Sequence, residues 1–331
     1  MSTFNVSPHI TIIIPFSGEN AYINECLDQC VKLDYPHYDI IVVTSAPVTV
    51  KHPKIKYVEC QEMSPAEKRD LAIKSTKAEI CAFLDSDCFP QKDWLRHAIK
   101  YFSDPKIGGV GGPGLSPEQD TVLQKAGGVV YKSLLLSSYR YMQKKSRFVD
   151  DYPSFNLVIR SSVLQEIGGF GSTYKVGEDT KLCLEVIRIG KRIIYASDVI
   201  VFHHRRPLFL PHLRQVWGYG KHRGHFVRNY PETSRRLEYF LPSILLFMFL
   251  AMGLLAIQYN LFIHILGLTL LGHLVAGLIL GFLSTRQINI ALLTSFAIPL
   301  TLWMYGIAFI EGLLVDPRKR YHETGKMLFG V

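Results

Sequence analysis

The chain has 331 residues, of which 48% are apolar, and its formal net charge is +9. The length allows roughly two domains, and the apolar residues concentrate between Phe240 and Val315. The basic excess flanks that stretch without any nucleic-acid-binding motif, so we expect anionic lipids or phosphate-bearing substrates as partners, and no nucleic acid.

The six cysteines are scattered and contain no C-x-x-C pair. This spacing predicts neither a zinc site nor a disulfide framework and indicates a reducing compartment. The first residues lack the basic and apolar regions of a signal peptide. We therefore expect the part of the chain before the apolar stretch to lie in the cytosol.

Short β-branched apolar runs alternate with helical patterns along the first half of the chain. We expect strands at 10–15, 39–43, 57–59 and 80–84, and helices at 21–33, 65–75 and 92–102. The second helix begins with Ser64 and Glu67 in a capping box. The alternation predicts a mostly parallel α/β sheet with ligands at the carboxyl ends of its strands.

Further along, the glycines from Gly108 to Gly114 are interpreted as a tight turn. We expect helices at 161–167 and 179–189, each ended by glycine, and strands at 192–195 and 199–202. These elements complete a first domain that we assign to residues 1–204.

Residues 205–239 mix aromatic and basic side chains, which predicts an amphipathic segment at a membrane interface. Residues 240–316 contain three candidate spans, at 240–257, 261–283 and 289–315. Pro299 and Glu311 leave the third span open to being kinked, re-entrant or packed inside a bundle. Three full spans place the basic tail, 317–331, outside, whereas the positive-inside rule favours the cytosol.

Asp85-Ser86-Asp87 directly follows the apolar strand at 80–84. Two carboxylates one residue apart at a strand end can face Mg²⁺ or Mn²⁺, which would neutralise the charge on a departing diphosphate. A solvated turn is the alternative for this motif taken alone.

Other polar side chains have two interpretations each. Glu178 and Asp179 begin a helix, and either cap it or supply a general base. His203 ends a strand, as a third metal ligand or a plain strand-end histidine. Arg69 and Arg160 could each bind a phosphate or lie at the surface.

Taken together, an ordered series of motifs resembles glycosyltransferase family 2, whose members have the GT-A fold. The motifs are Ile13–Glu19, Arg69–Ala72, Phe83–Pro90, Phe155–Arg160, Gly168–Phe170 and Gly177–Asp179. The resemblance implies a GT-A, Rossmann-like α/β domain followed by helical membrane spans. It also implies an inverting transfer in which Asp179, beside Glu178, is the base.

The resemblance further implies three sets of contacts. The donor-binding residues would be Pro15, Phe16, Glu19, Thr44, Ser45, Arg69, Asp85, Ser86 and Asp87. The acceptor and diphosphate region would contain Asn156, Arg160, Trp217 and Arg223. Mn²⁺ or Mg²⁺ would be held by Asp85, Asp87 and His203.

The second strand departs from the family pattern, because it ends in Val43-Thr44-Ser45 without the carboxylate that usually reads the nucleobase. Thr44 or Ser45 could bond the base instead, with a UDP-sugar as the default donor and a GDP-sugar second. We expect a lipid or polyprenyl-linked acceptor and a multi-pass inner-membrane protein. A processive polysaccharide synthase and a non-catalytic, membrane-tethered sugar-binding scaffold are the alternatives.

Overall fold

The computed structural model describes residues 7–18, 21–133, 145–172, 174 and 176–316. The chain divides into two compact units. The first comprises Met1–Leu115 and Tyr141–His204, and the second comprises Ser116–Arg140 and Arg205–Val331. The segment from Ser116, which the sequence placed in the first domain, therefore groups with the second unit. The basic tail at 317–331 lies outside the described residues.

Secondary structure is numbered along the whole chain. The strands are β1 Ile10–Phe16, β2 Tyr38–Thr44, β3 Ile55–Glu59, β4 Ile80–Leu84, β5 Cys88–Pro90, β6 Ile107–Gly111, β7 Gly114–Leu115, β8 Arg147–Val149, β9 Asn156–Arg160, β10 Arg192–Tyr195 and β11 Val201–His203. The helices are α1 Ile23–Cys30, α2 Pro65–Lys74, α3 Trp94–Tyr101, α4 Val122–Val130, α5 Ser161–Ile167, α6 Glu178–Arg188, α7 Leu210–Asn229, α8 Pro231–Ser234, α9 Leu237–Ala256, α10 Asn260–Thr285 and α11 Ile288–Leu314.

The first unit is built on an eight-stranded sheet with the order β3-β2-β1-β4-β9-β6-β10-β8. β1 is parallel to β2 and β4, and β2 is parallel to β3. β9 enters antiparallel between β4 and β6. The inner strands β2 and β4 are buried almost throughout, as expected of strands covered on both faces. The predicted α/β domain is confirmed.

The glycines from Gly108 to Gly114 do not form the predicted turn, because they build β6 and β7. A Cβ at Gly111 would lie 2.3 Å from Cδ1 of Tyr152, and one at Gly112 would lie 1.9 Å from the carbonyl oxygen of Val199. The glycines therefore allow a ring and a backbone to approach a strand closely. A glycine-rich segment with this role was mistaken for a turn.

The second unit contains three helices that are long and apolar enough to cross a membrane, α9, α10 and α11. In α11, 61% of the most apolar window is buried, against 17% in α9 and 11% in α10. Pro299 lies inside α11, which is one continuous helix. The third segment is thus packed against other helices of the second unit.

Helix α7 packs along α11 within the second unit. A Cβ at Gly224 would lie 2.1 Å from the carbonyl oxygen of Phe309, so the two backbones approach closely. Lys221 Nζ lies 2.9 Å from Glu311 Oε1, and its side chain is 2% exposed. The predicted interfacial segment thus turns part of its basic face toward another helix, where the charge is paired.

Candidate active site

Three parallel strands end at the same edge of the sheet. Phe16 at the end of β1 is in register with Thr44 at the end of β2, and Ile13 is in register with Phe83 near the end of β4. Asp85 follows β4 directly. The loops that the sequence predicts to bind the donor therefore leave the sheet side by side.

Arg69 joins two of the predicted motifs. Its Nη2 lies 2.7 Å from Asp85 Oδ1, and its Nη1 lies 3.0 Å from Glu178 Oε1. The side chain is 2% exposed, so the surface interpretation of this arginine is wrong. Burial alone would lower the pKa of Arg69, but the carboxylates of Asp85 and Glu178 outweigh it and raise the pKa. The arginine is a fixed positive charge between the two carboxylates.

The local sequence explains how Arg69 is positioned. The predicted capping box is present, because Ser64 accepts a hydrogen bond from the backbone of Glu67, and Glu67 accepts one from the backbone of Ser64. This fixes the start of α2. Asp70, the next residue, accepts hydrogen bonds from the backbone nitrogens of Phe170 and Gly171, at 2.7 and 3.0 Å. The helix thereby also holds the glycine loop that precedes α6.

A group of possible metal ligands lies beside this network. Ligand atoms of Asp87, Cys88 and His203 all lie within 4.8 Å of one another. His203 Nε2 is 3.5 Å from Asp87 Oδ1, and β11 pairs His203 with Cys88. The Asp87 carboxylate suits Mn²⁺ or Mg²⁺, and the His203 imidazole can be a further ligand, so these two residues fit the implied metal. Asp85 is not in this group, and its Oδ1 lies 2.7 Å from Arg69 Nη2.

Cys88 was not foreseen as a member of this group, although its place directly after Asp87 was a signal. Its thiol donates to Asp87 Oδ1 at 3.8 Å. The backbone of Asp87 is also held in place, because the backbone N–H of His204 donates to the Asp87 carbonyl at 3.0 Å. The His204 ring contacts Glu25 at 2.9 Å and stacks on Tyr22 with ring centroids 3.8 Å apart. Helix α1 therefore holds the end of β11.

Asp179 is the second residue of α6, which begins at Glu178. The N-cap of this helix is Gly177, whose φ is 86°. Its Oδ1 accepts from the backbone of Thr180 at 2.8 Å. Thr180 also donates its hydroxyl to Asp151 Oδ1 at 3.1 Å. Desolvation, together with the nearby negative charges of Glu178 and Asp151, raises the pKa of Asp179 to about 8. A carboxylate of this kind can act as a base near neutral pH.

Lys68 is a site residue that the sequence did not indicate. It is fully buried, and its Nζ donates to the carbonyl oxygen of Phe16 at 2.6 Å, to Ser45 Oγ at 3.0 Å and to Ser17 Oγ. Thr44 has its hydroxyl turned back onto the carbonyl of Ala46. Of the two hydroxyls that were expected to bond the nucleobase, those of Thr44 and Ser45, only that of Ser45 is directed toward this edge rather than onto Ala46.

Two predicted ligand contacts are structural. Asn156 is fully buried, donates to Gly112 and Val199 carbonyls at 2.7 and 2.8 Å, and accepts from Trp94 Nε1 at 2.8 Å. Arg160 is paired in register with Ile80, at the opposite end of β4 from Asp85, and donates to the backbone there. These two residues hold strands together, so we withdraw them from the acceptor region.

The remaining predicted site residues have the following positions. Pro15 and Phe16 end β1, and Ser86 is buried between the two aspartates. Trp217 and Arg223 belong to α7 of the second unit, where the guanidinium of Arg223 lies over the ring of Tyr239, 4.4 Å from its centroid. Glu19 lies outside the described residues.

Comparison with known families decides the identity of this fold. A family model described as glycosyltransferase like family 2 matches residues 8–220, well over half of the chain. The chain belongs to glycosyltransferase family 2. The resemblance seen in the motifs and the GT-A fold are thereby confirmed.

Relatives of this family 2 protein come from bacteria and archaea. It is 31% identical over 147 residues to a pre-mycofactocin glycosyltransferase of Mycobacterium tuberculosis, a match covering 43% of this chain and only 30% of that protein. It is 24% identical to the glycosyltransferase AglE of Haloferax volcanii, over 60% of this chain and 68% of AglE.

A solved structure shares the fold. The mannosyltransferase PcManGT of Pyrobaculum calidifontis, in complex with GDP-Man and Mn²⁺, superimposes with a TM-score of 0.65. The identity is 20%, and the match covers 94% of this chain and 88% of that one. At this identity the likeness establishes the fold alone.

Proposed function

We propose that the protein is a metal-dependent, inverting glycosyltransferase that moves a sugar from a nucleotide-sugar donor to a lipid or lipid-linked acceptor. The observation that carries the proposal is the bridge through Arg69. This buried arginine holds Asp85, after β4, and Glu178, at the start of α6, at distances of 2.7 and 3.0 Å. It therefore ties the metal-site loop to the helix that bears the predicted base.

In this mechanism Asp179 accepts the proton of the acceptor hydroxyl, whose oxygen then attacks the anomeric carbon. The bond to the nucleoside diphosphate breaks on the opposite side, which inverts the configuration. Asp87 and His203 would hold Mn²⁺ or Mg²⁺, and a divalent ion there would neutralise charge on the departing diphosphate. Glu178 remains bonded to Arg69 and positions α6 rather than moving a proton.

The acceptor class rests on two independent supports. A relative of Methanococcus voltae, 22% identical over 66% of this chain, is named as a transferase acting on a dolichyl-linked sugar phosphate. The second unit here has three helices apolar enough to cross a membrane, which would place the protein beside such an acceptor. We propose an inner-membrane location with the catalytic part in the cytosol.

A screen of donors tests the function. Membranes containing the protein are incubated with UDP- and GDP-sugars, a lipid extract and Mn²⁺, and the released nucleoside diphosphate is measured. We expect release that requires both a donor and Mn²⁺ and that is lost with Asp87→Ala. If no donor is turned over, the transferase function is contradicted and the non-catalytic, sugar-binding scaffold is favoured instead. The length of the product on a gel separates single transfer from processive synthesis.

A further inference from the structure

Among the residues that the structure describes, the corner of the sheet between β1 and β2 contains a buried ammonium group whose hydrogen bonds all go to neutral oxygens. Lys68 Nζ donates to three neutral oxygens, those of Phe16, Ser17 and Ser45, and the residue is 0% exposed. A lysine that donates three hydrogen bonds is an ammonium ion with no proton left to share. It therefore acts on a ligand only through the groups it contacts.

The two serines carry that effect to the surface. Ser17 and Ser45 are both exposed, although the ammonium between them is buried. Each hydroxyl accepts from Lys68 and has a single proton, which must point away from the lysine. Both hydroxyls thus keep a proton that can be donated to a ligand, and the positive charge beneath makes them stronger donors.

The hydrogen-bonding groups of this corner are the reverse of those in the family pattern. In that pattern, a carboxylate at the end of the second strand accepts a hydrogen bond from an N–H of the base. Here the corner offers two O–H donors, while the remaining hydroxyl, that of Thr44, is bonded to Ala46. A base that presents two neighbouring acceptors would receive both of these protons.

We propose that Lys68, Ser17 and Ser45 form the base-reading corner of the donor site and select guanine or hypoxanthine through the O6 and N7 acceptors. Guanine offers these two acceptors side by side, whereas adenine replaces the first by an amino donor. Uracil flanks its O4 with a C–H and an N–H. The inference rests on the proposed function and reverses the default order of UDP before GDP.

The experiment measures binding of GDP, IDP, UDP and ADP to the full chain in detergent with Mn²⁺, by titration calorimetry. IDP keeps O6 and N7 and lacks only the 2-amino group. We expect GDP and IDP to bind equally well, and UDP and ADP to bind roughly tenfold more weakly.

Variants assign the preference to the corner. Ser45→Ala and Ser17→Ala should each reduce the GDP-over-UDP ratio by about threefold, since each removes one of the two donors that together give the roughly tenfold preference. Lys68→Met should reduce it as well, and the serine variants keep the test valid if that protein does not fold. Glu59→Gln is the matched control, because Glu59 is exposed beside Thr44 at the end of β3 and should not affect the ratio.

Two failures are distinguishable. If UDP or ADP binds as tightly as GDP, or if Glu59→Gln alone changes the preference, the base-reading role is wrong and the transferase function stands. If no nucleoside diphosphate binds in the presence of Mn²⁺, the proposed function is overturned, and the role of the corner with it.

Discussion

At the scale of single residues, the surroundings of Asp179 determine when it can accept a proton. Its pKa is raised to about 8, first by desolvation and then by Glu178 and Asp151. A base must be deprotonated, so kcat/KM should rise by about tenfold per pH unit below this value and level off above it. A pH profile of donor turnover checks this, and a flat profile between pH 6 and 9 would contradict it.

Asp151→Asn sharpens that test. Removing one negative charge should lower the pKa of Asp179, so the rising limb should move to lower pH. Glu185→Gln, which removes a charge from the outer face of the same helix, is the matched control and should leave the limb in place. A limb that moves equally in both variants would indicate a general charge effect.

The carboxylates of the site could be predicted because each follows a distinctive pattern. Asp85 follows an apolar strand, and Asp179 follows a glycine at a helix start. Lys68 had no such pattern, since a lysine in the second turn of a helix is usually solvated. Its burial is imposed by the ends of β1 and β2, which are distant in sequence and meet only in the fold.

At the scale of elements, β6 depends on the absence of side chains. A Cβ at Gly111 would overlap the ring of Tyr152, whereas one at Gly109 would meet its nearest neighbour at an ordinary 3.5 Å. Gly111→Ala should therefore cost about 1–3 kcal/mol, and Gly109→Ala, the control in the same strand, much less. The melting temperatures of the two variants test the prediction. Equal values would contradict the close packing of the ring on the strand.

The pairing of α7 with α11 supplies a second prediction at this scale. Lys221 and Glu311 form a buried pair, so Lys221→Met should remove the ammonium group that faces the Glu311 carboxylate and lower stability by about 3 kcal/mol. The double variant with Glu311→Gln should recover part of the loss. The exposed pair of Arg188 and Glu185 is the control, and Glu185→Gln should change the melting temperature little.

The elements that the sequence predicted well have strong local signals. β1, β2 and β4 are continuous apolar runs, α2 has a capping box, and α5 ends at Gly168 with a φ of 78°. β6 was missed because its glycines resemble a turn, and their cause, the ring of Tyr152, lies far along the chain. Signals that depend on a distant partner are invisible in one sequence.

At the scale of the whole molecule, the order of motifs predicted the family and the GT-A fold, and the family match confirms both. The three apolar helices were also foreseen, since length and hydropathy are properties of the sequence itself. The grouping of Ser116–Arg140 with the second unit was not foreseen, because it depends on long-range packing.

We propose that Asp179 moves the proton and that Asp87 and His203 would hold the metal. The most direct test is the Mn²⁺-dependent transfer of labelled sugar to a lipid extract by wild type and Asp179→Asn, with donor affinity measured on the same samples. We expect Asp179→Asn to abolish transfer and to leave donor affinity nearly unchanged. Transfer at the wild-type rate, or a loss of donor affinity that accounts for the defect, would contradict it.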